Sequence, residues 1–98
     1  MSKLTPDYTS SFRRDVKTLR RKHRNMSPLR EVMELVLDNT EQAKDELRRR
    51  YNAHVLKGSW VGSNECHVAN AGDWLLVWST GNGIAVFQRT GSHDDIFC

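Results

Sequence analysis

No apolar run in this chain of 98 residues is long enough to cross a bilayer, and Met1-Ser2-Lys3 opens no signal-peptide stretch. The expectation is one cytosolic domain over residues 1–98, with no membrane partner. Cysteine is scarce: Cys66 and Cys98 make no disulfide framework. A Cys66–Cys98 bridge is disfavoured in a reducing compartment, and Cys66 is expected to pack as a small apolar side chain. Cys-x-x-Cys, His-x-x-x-His and His-Glu-x-x-His spacings are all missing, so no metal site is expected. Walker and dinucleotide glycine fingerprints are missing too, which disfavours ATP or NAD chemistry and leaves no cofactor to expect.

Positive charge is nearly absent from one end. Residues 58–98 hold one Arg against four acids, a net of −3, whereas residues 1–57 hold fourteen Lys/Arg against eight acids, a net of +6. Lys and Arg gain by displacing counterions from phosphates, so the basic half points to a polyanionic partner. Most of the chemical candidates lie in the acidic half.

Pro6 holds Leu4 to Tyr8 extended. Phe12, Val16 and Leu19 then mark one apolar stripe of a helix. Its other faces carry Arg13, Arg14, Lys17, Arg20 and Arg21, and Lys22, His23 and Arg24 extend the cluster. A solvated helix face is the ordinary reading of such charge. The density here, relieved only by Asp15, favours a nucleic-acid contact, with an acidic protein as the alternative. Ser27-Pro28 reads as N-cap and first helical position of a second helix, whose stripe is Leu29, Val32, Met33, Val36 and Leu37. A short link between the two predicts a helical hairpin.

Glu41 to Tyr51 offers only Ala43, Leu47 and Tyr51 for contact and reads as loop or frayed helix, with Arg48, Arg49 and Arg50 as a second basic cluster. From His54 onward, glycines punctuate short β-type runs. Ser63 to Ala69 alternates, with Glu65 and His67 sharing a face. Trp74 to Trp78 is a buried strand, Gly81-Asn82-Gly83 a hairpin turn, and Ile84 to Thr90 the returning strand. The fold class is α+β: an N-terminal strand and a helical hairpin packed on one face of a small antiparallel sheet.

His54, His67, Asp73, Arg89 and His93 are the polar candidates of the β half. Each alone is more readily a structural residue; the set favours function. Metal binding is one option, but it leaves Arg89 unexplained. The other is metal-free RNA cleavage, in which the ribose 2′-hydroxyl attacks the neighbouring phosphorus. Imidazoles suit the two proton transfers, Arg89 suits the phosphoryl charge, and Phe97 is placed to stack on a base. Arg89 and His93 reach one anion if Gly91-Ser92 turns the chain.

At these residues the chain resembles the YafQ branch of the RelE/ParE-type toxins. The resemblance runs through Leu47-x-x-Arg50-Tyr51-x-x-His54-x-Leu56-x-Gly58-x-Trp60, Glu65-Cys66-His67, Asp73 to Trp78 and Arg89-Thr90-Gly91-Ser92-His93-x-x-Ile96-Phe97. Phe12 to Leu19 is similar to the family's first helix. It implies a RelE-like fold and a type II toxin–antitoxin toxin that cuts mRNA in the ribosomal A site. It also implies a DinJ-like antitoxin as partner, and the 70S ribosome, through its rRNA, as a second. The family's active-site set falls on His54, His67, Asp73, Arg89, His93 and Phe97, with Trp74 as a further substrate contact. Arg13, Arg14, Lys17, Arg20, Arg21, Lys22, Arg24, Arg48, Arg49 and Arg50 would then face ribosomal RNA. His93 is assigned as general acid, Asp73 or His67 as base, and His54 as an orienting or proton-sharing group. The stretch 68–72 is longer than the usual family turn. A nucleic-acid-binding module without catalysis is the competing class.

Overall fold

The computed structural model describes residues 3–69 and 72–97. Its elements run β1 (Thr5–Tyr8), α1 (Ser10–Arg21), α2 (Ser27–Asp38), α3 (Glu41–Tyr51) and β2 (His54–Val55). After a 3-10 turn at Gly58–Trp60 come β3 (Asn64–His67), β4 (Leu75–Gly81), β5 (Ile84–Gly91) and α4 (His93–Phe97). The strands form one sheet in the order β1-β5-β4-β3-β2. All pairs are antiparallel except β1 with β5, so the sheet is mixed rather than purely antiparallel. The three helices between β1 and the rest of the sheet provide the crossover a parallel pair needs.

The helix ends follow local chemistry. Thr9 accepts the Phe12 N–H at 3.0 Å and donates its hydroxyl to Gln88 O at 2.8 Å, capping α1 and anchoring it to β5 at once. α2 starts one residue from the expected position: Met26 is the cap residue, and Asn25 Oδ1 accepts the Ser27 N–H. α3 is a full helix, not a loop. Thr40 caps it, Asn52 stops it in the left-handed conformation, and the Ala53 N–H returns to Leu47 O. The Asp45–Arg49 and Glu46–Arg50 pairs, each at 2.9 Å, add the support that its narrow apolar stripe lacks. α2 packs chiefly on α3, while α1 lies along β5.

β4 explains the unbroken apolar run. Leu76 and Trp78 enter the main core with Cys66, Phe87, Phe12, Val32 and Leu47, beneath the helices. Leu75 and Val77 point to the opposite face, where Ile96, Leu56, Trp60 and Phe97 cover them. Both faces of the central strand are therefore buried. Asn82 and Gly83, both at positive φ, form the two-residue turn into β5. Among the described residues no helix is long and apolar enough to cross a membrane.

Candidate active site

The register of the sheet assembles the site. His54 pairs with Glu65, Glu65 with Val77, and Val77 with Arg89, which makes one row across four strands. His67, Leu75 and Gly91 form the adjacent row. Directly opposed residues share a face, so His54, Glu65, His67 and Arg89 stand on the face of Leu75 and Val77, opposite the main core, with the end of α3 and Asp15 of α1 reaching its margins. Strands are spaced about 4.8 Å apart, which spreads the first row over roughly 14 Å. That is a strip on the scale of a few nucleotides rather than a point.

The tail closes over this face. β5 continues to Gly91, and Ser92 then caps α4 instead of making the tight turn expected at Gly91-Ser92. Ser92 Oγ accepts the Asp95 N–H at 3.0 Å, and Asp95 Oδ2 accepts the Ser92 N–H at 3.1 Å. The sequence signal of this reciprocal cap is Ser-x-x-Asp, which competes with the turn reading of Gly-Ser and here prevails. Gly91 is required at this point: its φ is 151°, and an added Cβ would stand 3.2 Å from Asp95 Oδ2. Asp73 Oδ1 accepts the His93 backbone N–H at 2.8 Å, so the carboxylate ahead of β4 fixes where His93 begins. The His93 ring lies 5.0 Å from Phe97, which in turn meets Trp60 edge-on at 5.6 Å.

The Asp95 carboxyl sits below its ordinary value of 3.8, held down by the hydrogen bonds with Ser92, with Lys22 and Arg89 adding positive charge. A depressed carboxylate stabilises the fold above its unfolded value and loses that contribution as pH falls through its folded value. We therefore expect α4 to loosen selectively below about pH 3.8. Amide resonances of residues 93–97 followed by NMR, against those of β4, would register it.

His67 and Asp73 line one open cleft of about 640 Å³ together with Arg50, Tyr51 and Asn52. His54 stands apart from that cleft: its Nδ1 is 2.8 Å from Asn52 O, and its Nε2 is 3.3 Å from Glu65 Oε1. Glu65 is 8% exposed and is the partner that reasoning from residue types misses, although its shared face with His67 is legible. Arg89 is not a free cation. Its Nε and Nη2 bind Asp15 at 2.7 and 3.1 Å, and Nη2 also donates to Asp95 O at 3.1 Å. Asp15 and the nearby Asp95 raise the Arg89 pKa against its desolvation, so its charge is permanent.

Trp74 corrects an expectation. It is 4% exposed, its Nε1 donates to Thr90 Oγ1 at 3.0 Å, and the Arg24 guanidinium lies 4.6 Å over its ring. So buried and so covered, it presents no surface for a base to stack on. Arg24 is thereby engaged as well. Arg48, Arg49 and Arg50 pair with Asp45 and Glu46 along α3, so the second basic cluster is largely neutralised where it stands. Among the described residues, Arg13, Arg14, Lys17, Arg20, Arg21 and Lys22 form no salt bridge.

Cys66 is fully buried, and burial with Glu65 nearby pushes its thiol up to about 12, the environment of an inert packed residue. A bridge to Cys98 lies outside the described residues, as does the middle of the long 68–72 stretch. Among the described residues no three His, Cys, Asp or Glu side chains converge as metal ligands.

Comparison with known proteins identifies the family and the fold. Residues 4–98 match the family described as the bacterial toxin of type II toxin–antitoxin system, YafQ. The chain is 33% identical over 91 residues to the mRNA interferase toxin YafQ of Escherichia coli K12, covering 93% of this chain and 92% of that protein. The crystal structure of YafQ from E. coli BL21(DE3) superposes with a TM-score of 0.83 at 30% identity, covering 97% of this chain and 99% of that one. A chain of the E. coli DinJ–YafQ toxin–antitoxin complex superposes at 0.82 with 31% identity, covering 98% and 99%.

Proposed function

Because this chain belongs to the YafQ family of bacterial type II toxins, the mRNA interferases, we propose that it is an endoribonuclease cutting ribosome-bound mRNA by acid–base catalysis without a cofactor. The observation that carries this reading is the single face on which the register gathers His54, His67 and Arg89, with the Asp73-anchored His93 closing over it. The 2′-hydroxyl of the bound nucleotide gives its proton to Asp73 or His67 and attacks the adjacent phosphorus. The 5′-oxygen leaves with a proton from His93, and a 2′,3′-cyclic phosphate remains. Arg89 offers positive charge to the phosphoryl oxygens as they gain charge. His54, held between a carbonyl and Glu65, orients the strand or shares a proton. Phe97, backed by Trp60, is the surface on which a base stacks.

The partners follow the same logic. The DinJ–YafQ complex of the relatives supports a DinJ-like antitoxin for this chain. The cations of α1, free of salt bridges among the described residues, favour ribosomal RNA as the polyanion that seats the toxin and presents mRNA to the strip. The binding-module alternative leaves the placing of His67 beside Asp73, and of the His93 backbone on that same carboxylate, without purpose.

The charge distribution makes a testable distinction between helices. Replacing Arg13, Arg14 and Lys17 together by Gln is expected to weaken 70S binding and to reduce the salt slope by about one for each phosphate no longer neutralised. Replacing Arg48, Arg49 and Arg50 by Gln is expected to change binding far less. Ribosome affinity measured over a salt series decides between them, and equal losses would contradict the assignment to α1.

A further inference from the structure

Helix α1 carries many cations and one acid, Asp15. That carboxylate makes no ion pair with the cations of its own helix among the described residues. It crosses to β5, 74 positions away in the sequence. Oδ2 accepts Arg89 Nε at 2.7 Å and the Thr90 backbone N–H at 3.1 Å, while Oδ1 accepts Arg89 Nη2 at 3.1 Å. The side chains of Arg89 and Asp15 are 24% and 15% exposed, so water competes weakly for either. A two-pronged carboxylate holds a guanidinium in one plane and fixes which edge faces outward.

The remaining bonds narrow the choice further. Nη2 also donates to Asp95 O on α4, so the Nε and Nη2 edge is occupied. Nη1 has no hydrogen-bond partner among the described residues. The strand beneath is equally tied down. Thr90 is 1% exposed; its N–H meets Asp15, its hydroxyl donates to Leu75 O at 2.8 Å, and it accepts from Trp74. The basic helix, the strand that carries Arg89 and the helix that carries His93 thus meet at one guanidinium.

We propose that Asp15 is a positioning residue for Arg89: it holds the Nε–Nη2 edge so that Nη1 alone meets the reacting phosphate, end-on rather than as a two-pronged clamp. This rests on the reading of Arg89 as the phosphate-facing cation. Asp15 lowers the net charge at the site and in return removes the freedom of a long side chain, so that no reorganisation is needed as charge develops. A pair that merely stitched α1 to β5 would affect folding and leave the chemical step untouched.

The test is a double-mutant cycle of Asp15→Asn and Arg89→Ala, read by single-turnover mRNA cleavage on programmed ribosomes. Ribosome affinity and thermal melting are measured on each variant. Asp15→Asn is expected to slow the chemical step about 10- to 100-fold with affinity unchanged. Arg89→Ala is expected to slow it about 100- to 1,000-fold, and the double variant is expected to be no slower than Arg89→Ala alone. Asp15→Glu keeps the charge and should recover part of the rate; if Asp15→Asn does not fold, the same cycle is run with Asp15→Glu. An equal slowing by the Asp15 change with and without Arg89→Ala would overturn the proposal, as would faster cleavage by Asp15→Asn. Wild-type cleavage by Arg89→Ala would overturn the reading of Arg89 itself and the proposal with it.

Discussion

His93→Gln is expected to slow mRNA cleavage by about 100- to 10,000-fold while leaving the protein folded, bound to its ribosome and normally stable. The structure supplies each part of that expectation. His93 is exposed at the first position of α4, and what holds the helix there is its backbone N–H on Asp73 together with the Ser92–Asp95 cap. Gln retains all of these. The one side-chain contact forfeited is the ring against Phe97, and an exposed contact of that kind falls within about 0.5 kcal/mol. What Gln cannot do is release a proton near neutral pH. Single-turnover cleavage and melting on the same preparation separate the two effects. A near wild-type rate would remove His93 from the role of acid and pass it to His67 or His54.

Phe87→Ala is expected to act in the opposite way, costing stability and sparing the chemical step of the molecules that remain folded. Phe87 is fully buried on β5, between the parallel strand β1 and the central strand β4. Its ring sits 5.8 Å from Phe12 and 5.9 Å from Tyr8, so it joins α1, β1 and the sheet at one point. Truncating a buried Phe costs about 3–5 kcal/mol, and a domain of this size has about 5–15 kcal/mol in total. In urea the midpoint should fall sharply with little change in slope. A loss under about 1 kcal/mol would mean that the core beneath α1 repacks, and that α1 is not held against β5 as described.

The contrast follows from how the chain is built. The helical side of the sheet holds the larger core, and the tail side holds the candidate site on a thin cover of Ile96, Leu56, Trp60 and Phe97. Most of the first side is legible in the sequence. Phe12, Val16 and Leu19 repeat at helical spacing, the Trp74 to Trp78 run is too apolar for one exposed face, and Asn82-Gly83 marks its own turn. α3 is harder to read because Ala43, Leu47 and Tyr51 make a narrow stripe, and its caps and internal ion pairs decide the matter. The parallel pairing of β1 with β5 is not legible, since register between distant strands leaves no local trace.

The site is legible in its residue types and not in its contacts. Glu65 and His67 fall on one face by alternation alone, and the register bears that out. The engagement of Arg89 by Asp15 joins positions too far apart for any periodicity to reveal, and it changes Arg89 from a free clamp into an oriented donor. Trp74 misleads for a related reason. Beside Asp73 it resembles a substrate contact, but the indole N–H finds a buried acceptor in Thr90, and only tertiary structure places that hydroxyl. Arg48 to Arg50 read as a second RNA grip because neutralisation by Asp45 and Glu46 requires the helix to form first.

The measurement that bears most directly on the central claim is the chemistry of the cut ends. Wild-type protein is added to ribosomes programmed with a defined mRNA, at the lowest magnesium that keeps the particles intact, and the 3′ end of the upstream fragment is identified. The expected result is cleavage that leaves a 2′,3′-cyclic phosphate, the product that attack by the neighbouring 2′-hydroxyl must give. A 3′-hydroxyl with a 5′-phosphate, or no cleavage by folded protein on ribosomes it demonstrably binds, would contradict it.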